Sequence, residues 1–300
     1  MDFYGKVFSR VNYKVWMVLI PLIGLLLMPF AFSVKLGIDF TGGTEIQILT
    51  DRAVSAQQFQ SALSQCSTDI RANVQNLEGR TTAIIKSKDA INKSCSDSAL
   101  ATIGFSEEEL AKVLPSTFKP ELGKTLLEQG SKVFIIAGVL MMAVIFIAFR
   151  SIIPSIAVIQ AAVFDIAIGL GLLSLLGFEL SLAGFAALLM LVGYSVDDNI
   201  VLTSNVLNER GKSLGEQVNK AFATGITMTG TSIAGLTAIL IVAFFVQMET
   251  VSQIATVLVA GLMADFFTTW FVNVAVLEWY LRRKPAGTKS SRFKFTLFRS

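Results

Sequence analysis

Gly193-Tyr194-Ser195-Val196-Asp197-Asp198-Asn199-Ile200-Val201 sets two adjacent carboxylates inside Leu182–Val206, a stretch that otherwise contains no Lys, Arg or Glu. On insertion scales an ionised Asp at the centre of a membrane helix costs roughly 2.5–3.5 kcal/mol, so such residues face a bundle interior or an ion path. The stretch therefore reads as a transmembrane helix whose acids are kept for a reason. Working outward in windows of about 20 residues, further spans fall near Val15–Val34, Val133–Phe149, Ser155–Leu176, Thr224–Val246 and Ile254–Leu281. Two of these also carry a deep acid, Asp165 and Asp265. The chain is 53% hydrophobic and only 16% charged, with a mean hydropathy of +0.64. That balance makes the bilayer its solvent.

Six spans put both termini on one side, and the basic residues of short loops decide which side. Lys6, Arg10 and Lys14, then Arg150, then Arg210, Lys212 and Lys220, then Arg282, Arg283 and Lys284 all fall on one face. The opposite short loops hold Glu179 and Glu249 and no Lys or Arg. Both termini are thus expected in the cytoplasm, with 282–300 a basic tail against anionic lipid, and 35–130 outside the cell membrane. The first span, 1–34 with its leader, reads as a retained anchor, because no small-residue cleavage site follows it.

Segment 35–130 is the one polar domain, and 131–281 holds the other five spans. Thr44–Leu49 alternates as a half-buried strand, and Ala56, Phe59 and Leu63 share a helical face. Asp69–Leu77 and Thr81–Lys86 read as strands joined at Glu78-Gly79-Arg80, and Ser106-Glu107-Glu108-Glu109 is a capping box that opens a second helix. The order βαββα suggests a small ferredoxin-like α+β domain. Both cysteines, Cys66 and Cys95, lie in it; a disulfide and two free thiols are equally compatible with the sequence.

The net charge of +3 is mixed, without a basic stripe for nucleic acid. The chain has no histidine, which removes Ser-His-Asp and Cys-His catalysis and the usual zinc sites. It also lacks a Walker A run, a nucleophile elbow and a dinucleotide fingerprint. Neither an enzyme nor a cofactor or metal site is expected.

Just beyond the first span, Gly37-Ile38-Asp39-Phe40-Thr41-Gly42-Gly43-Thr44 resembles the D-F-x-G-G signature of the protein-export membrane proteins SecD and SecF, in the resistance-nodulation-division superfamily. The run at Gly193–Val201 is similar to a second SecF motif, with Asp198 at the family aspartate, and Pro120-Glu121-Leu122-Gly123-Lys124 resembles the segment leading into the second span. The resemblance runs from end to end. A single small exported domain favours the SecF branch, and the stretches Thr224–Ser232 and Gly261–Asp265 resemble archaeal members. The implied fold is an α-helical polytopic membrane protein with six transmembrane helices, half of a resistance-nodulation-division transporter, with one small ferredoxin-like α+β exported domain.

The resemblance implies SecD as the other half, the SecY translocon and a translocating unfolded polypeptide as partners, and proton flow through Asp198 as the drive. Bacterial SecF adds an arginine in the fifth span; the aligned position here is Ile226. Two other roles remain, a non-coupled scaffold subunit of the translocon and a small-solute exporter, and the small domain disfavours the exporter.

Asp197 and Asp198 point about 100° apart on a helix, so only one can face a given neighbour. The proton or ion relay candidates are Asp198, Asp165 and Asp265, with Asp197 nearer a water-exposed helix end. Intramembrane polar pairs average under about 1 kcal/mol, so interhelical bonding is the competing role. The fifth span repeats small and hydroxyl residues, among them Thr227, Gly230, Thr231, Ser232 and Gly235. These suit close helix packing, with a hydroxyl path beside Asp198 as the alternative. Paired glycines Gly42 and Gly43 after Asp39 and Phe40 mark a tight turn.

Overall fold

The computed structural model describes residues 2–8, 12–51, 54–77, 80–113, 115–118, 120–149, 151–208, 213–246 and 248–283. Arg10, Glu78, Gly79, Arg150, Arg210, Lys212 and the basic tail from Lys284 lie outside these residues.

A short helix, α1 (Phe3–Phe8), precedes the first span, α2 (Tyr13–Phe32), whose start is capped by the Asn12 side chain on Lys14 N. Pro21 and Pro29 sit inside α2, as membrane helices tolerate. Then come β1 (Lys35–Leu36), the single turn α3 (Ile38–Thr41), β2 (Gly43–Thr50), α4 (Ala56–Leu63), β3 (Ile70–Leu77), β4 (Arg80–Ser87), α5 (Lys93–Thr102), α6 (Glu107–Lys112) and β5 (Pro115–Phe118). The remaining helices are α7 (Pro120–Phe149), α8 (Ile152–Leu175), α9 (Leu182–Asn208), α10 (Leu214–Phe245), α11 (Glu249–Phe267) and α12 (Val274–Arg283), with β6 (Glu179–Leu180) between α8 and α9. A π-helical stretch, Thr268–Asn273, joins α11 to α12 into one path, giving six helices long and apolar enough to cross a bilayer.

Two of these helices start earlier than hydropathy suggests. α7 begins at Pro120, not near Val133, because Glu121, Lys124, Glu128 and Lys132 belong to polar turns of the same helix. At about 1.5 Å per residue its 30 residues run about 45 Å, more than the roughly 30 Å of hydrocarbon. α10 begins at Leu214, where Ser213 and Glu216 form a capping box, so Lys220 lies on a helix and not in a loop.

α11 is the hub of the bundle and packs on α8, α9 and α10. Close approach is bought by small residues: a Cβ on Gly261 would overlap Leu191, and one on Gly225 would overlap the Trp270 ring. α2 and α7 lie outermost, turning Leu25, Leu26, Ile135 and Leu140 outward, where lipid contact is free of polar cost. Tyr4 N donates to Asn219 Oδ1, and the Arg282 guanidinium lies 5.5 Å from the Tyr13 ring centroid. Residues near both termini therefore meet at one end of the bundle.

The α+β domain stands at the other end. Its four strands are antiparallel in the order β3-β4-β2-β5, which is the ferredoxin-like arrangement, and Ile46, Ile48, Ile85, Phe59, Leu63 and Leu100 fill the core between the sheet and its helices. α5 and β5 add to the βαββα order read from sequence. α5 is serine-rich with weak patterning, and β5 is a four-residue edge strand that begins with Pro, which edges accept. Cys66, just after α4, is bonded to Cys95 in α5 with a Cα separation of 6.0 Å.

Candidate functional site

Asp165 of α8, Asp198 of α9 and Asp265 of α11 converge in the middle of the bundle, none more than 4% exposed. Ser195 is the joint between Asp165 and Asp265. Its Oγ lies 2.7 Å from Asp165 Oδ2 and 2.7 Å from Asp265 Oδ1. A serine hydroxyl has one proton to give, so one of these two contacts needs a proton supplied by a carboxyl group. The cluster thus holds at least one proton beyond the hydroxyl's own. Among the described residues no ion pair reaches Asp165, Asp198 or Asp265, so no cation offsets their charge.

The π-helical stretch supplies further donors. Thr268 Oγ1 lies 3.2 Å from Asp165 Oδ1, and Thr269 Oγ1 lies 3.1 Å from Asp265 Oδ1. Asp265 Oδ2 is buried and accepts from no hydroxyl or amide among the described residues. Such wide turns are frequent at functional sites. Thr229 of α10 donates to Asp198 Oδ2, and the next residue of α9, Asn199, one turn beyond Ser195, donates to Ser195 O and accepts from Asn273. Polar side chains thus line the contact between α9 and the last span.

Adjacent Asp197 points the other way. It is exposed, together with Gly193 and Tyr194, on the outer face of α9, whereas Ser195, Asp198 and Leu202 face inward. The small-residue run of α10 also divides. Thr227 and Thr231 are exposed and bond carbonyls of their own helix, while a Cβ on Gly230 or Gly235 would meet nothing within 4 Å. Ser232 is half-buried. Among the described residues only Thr229 of the run reaches an acid, and Ile226 packs among Phe222, Trp270 and Val274.

The turn at Asp39–Gly43 is a joint between the domain and the bundle. Asp39 Oδ2 accepts from Leu182 N at 2.8 Å and so caps the start of α9. Phe40 is buried with Leu188, Leu191, Val257 and Leu258. Gly42 has φ 81° and Gly43 φ 147°, a region that disfavours side chains, and a Cβ on Gly43 would overlap Ser87 O. Gly123 of α7 lies against the Phe40 backbone, where a Cβ would overlap Phe40 O. β1 pairs in parallel with β6 beside this turn.

Asp165, Asp198 and Asp265 were legible as intramembrane acids, but Thr268 and Asn273 carried no reading. The available signal was spacing: Ser195 and Asn199 are four apart, as are Asp265 and Thr269, and residues four apart share a helix face.

Comparison with known proteins follows the same lines. The family profile described as protein export membrane protein SecD/SecF, C-terminal, matches residues 99–283, and that of the SecD/SecF GG motif matches residues 34–54. The protein-export membrane protein SecF of Methanocaldococcus jannaschii is 35% identical over 283 residues, 90% of this chain and 96% of that protein. SecF of Haloferax volcanii is 38% identical over 244 residues, 81% of each. The crystal structure of SecDF from Thermus thermophilus, a translocon-associated membrane protein, superposes with a TM-score of 0.64 at 22% identity, over 90% of this chain and 38% of the SecDF chain. This chain thus matches well under half of SecDF and shares its fold. With its motif turn, six spans and ferredoxin-like domain, the chain is a multi-pass membrane protein that belongs to the SecD/SecF family of protein-export membrane proteins, on the SecF side of it.

Proposed function

We propose that this protein is a SecF subunit that pairs with SecD beside the SecY channel and assists export of unfolded polypeptide, using a proton carried by Asp165, Asp198 and Asp265. The observation that carries this reading is Ser195 held within 2.7 Å of two carboxyl groups. Such a site changes its bonding whenever a proton arrives or leaves. The membrane potential supplies roughly 2.3 kcal/mol per charge per 100 mV, enough to bias a two-state contact of this kind.

Pairing with SecD is supported by the outer face of α9 and α10. There Gly193, Gly230 and Gly235 leave open space, and Asp197 is exposed partway along a spanning helix. Small residues admit a close helix partner, and a carboxylate is poorly suited to lipid. In the orientation set by the basic loops, the termini lie in the cytoplasm and the α+β domain outside the cell membrane. The domain's edge strands β3 and β5 offer unpaired backbone for transient strand addition by a passing chain.

A scaffold role without coupling is favoured by Ile226, which stands where the bacterial relay has arginine. The two readings part in cells depleted of this protein and supplied with wild type or Asp198→Asn at matched membrane levels. Failure of precursor maturation in a variant that still co-purifies with SecD supports the relay. Equal maturation with both proteins sinks it and leaves the scaffold.

A further inference from the structure

The open face of the domain's sheet carries a row of charge at the bundle. Arg71 of β3 and Lys86 of β4 are directly opposite each other in register, and Glu45 of β2 is opposite Lys86 on the other side. Like charges directly opposite on one face are destabilising, and within the domain Glu45 offsets Lys86 while Asp69, which also pairs with Lys88, lies 3.7 Å from Arg71 Nε. The bundle adds a second acid to each cation. Arg71 Nη1 pairs with Glu179 of β6, three residues before α9 starts, and Lys86 Nζ lies 3.0 Å from Glu249 Oε1 at the first residue of α11. Each cation therefore grips the head of a different helix, and those two helices, α9 and α11, meet lower down through Ser195 and Asp265.

The same region is otherwise lightly packed. A crevice of about 430 Å³ separates the sheet from the helix heads, lined by Asp39, Glu45, Lys86, Glu179 and Gln253 among others. On its bundle side Gln253 of α11 links the heads of α9 and α11, accepting from Ser181 Oγ at 2.6 Å and donating to Glu249 Oε1 at 3.3 Å. Asp39 adds its cap on α9. Away from the Phe40 joint, which is packed into the bundle core, the sheet meets the helix heads through polar contacts that can break and re-form.

We propose that Arg71 and Lys86 are positioning residues that form a two-point electrostatic grip on α9 and α11, through which a change in the proton state of the buried carboxyls moves the α+β domain. This rests on the proton-relay reading above. Because α9 and α11 share one domain, any sliding between them at Ser195 and Asp265 must be absorbed by that domain. Rigid strands β3 and β4, bonded to each other along their length, convert it into a tilt.

The test is a distance between spin labels at Ser98→Cys on α5 and Leu176→Cys at the domain end of α8, read in the complete protein with its SecD partner in lipid bilayers at two pH values. Both positions are exposed. Wild type is expected to show a distance that shifts with pH, Asp198→Asn to lose the shift, Lys86→Glu to lose it with a broadened distribution, and Lys86→Glu/Glu249→Lys to regain it. A pair that only docks the domain would broaden the distribution in Lys86→Glu and leave its mean still shifting with pH. A shift that persists in Lys86→Glu, or one the exchanged pair does not regain, overturns the grip while the relay stands. Absence of a shift in wild type, with Asp198→Asn fully active in export, overturns both.

Discussion

Ser195→Ala removes the hydroxyl that joins the Asp165 and Asp265 carboxyl groups, and its cost can be worked from the contacts. Two bonds of 2.7 Å are lost. Asp265 Oδ1 keeps Thr269, and Asp165 Oδ1 keeps Thr268, but Asp165 Oδ2 loses its only hydrogen-bonded hydroxyl. Leaving a buried polar group unsatisfied costs about 1–3 kcal/mol, whereas intramembrane polar pairs average about 0.6 kcal/mol because the membrane-unfolded state finds partners too. Taking one unsatisfied oxygen and one ordinary bond, the expected loss is about 2 kcal/mol. Asp265→Asn should cost less, under about 1 kcal/mol, because its amide supplies the extra donor that Ser195 requires. The assay is equilibrium unfolding of the purified protein in mixed micelles of rising SDS fraction, with Ser195→Ala, Asp265→Asn and the double variant closing a cycle. Coupling of about 1 kcal/mol is expected. If Ser195→Ala lies within about 0.5 kcal/mol of wild type, or Asp265→Asn is the costlier change, the proton count at this site is wrong.

Two further outcomes can be checked directly. Breaking the Cys66–Cys95 bond, which closes a separation of 29 residues, should destabilise the α+β domain by about 3.6 kcal/mol on the chain-entropy account; protease sensitivity of Cys66→Ser/Cys95→Ser, unchanged from wild type, would refute it. Burial pushes the Tyr4 hydroxyl up to about 12, with the nearby Glu278 charge adding to the effect. A raised folded value means that this contact's contribution is complete below the ordinary value of 10.0 and is lost as pH climbs from there to about 12. Ultraviolet titration should therefore show one late-ionising tyrosine that moves earlier in Glu278→Gln; no change on that substitution would show that the carboxylate plays no part.

The spans were legible because hydrocarbon demands long apolar runs, and the sheet because Ile46 and Ile48 alternate with Glu45 and Gln47. Helix starts were not, since hydropathy registers where a helix meets lipid and not where it begins: Pro120 and Leu214 open polar turns that stand beyond it. The three inward acids could be counted from sequence, yet Asp198 and Asp197 differ by one step of helix rotation, and only packing against α10 and α11 decides between them. For the same reason the fifth span's hydroxyls looked alike in sequence, although Thr229 alone among them reaches Asp198. Arg71 and Lys86 gave no signal, because their partners come from residues more than a hundred positions away.

The wide turn at Thr268–Asn273 has a bearing on insertions and deletions. A π-type turn takes about one residue more than an α turn, and each residue rotates a helix by about 100°. Deleting one residue here would leave an uninterrupted helix of nearly the same length. Because the wide turn completes its rotation with one residue more, everything after the deletion would keep its side, with Asn273 still toward Asn199 and Arg282 toward the Tyr13 ring. A single-residue gap in this segment is therefore absorbed by the turn, and relatives aligned across it can differ in count and still agree in the direction of their side chains.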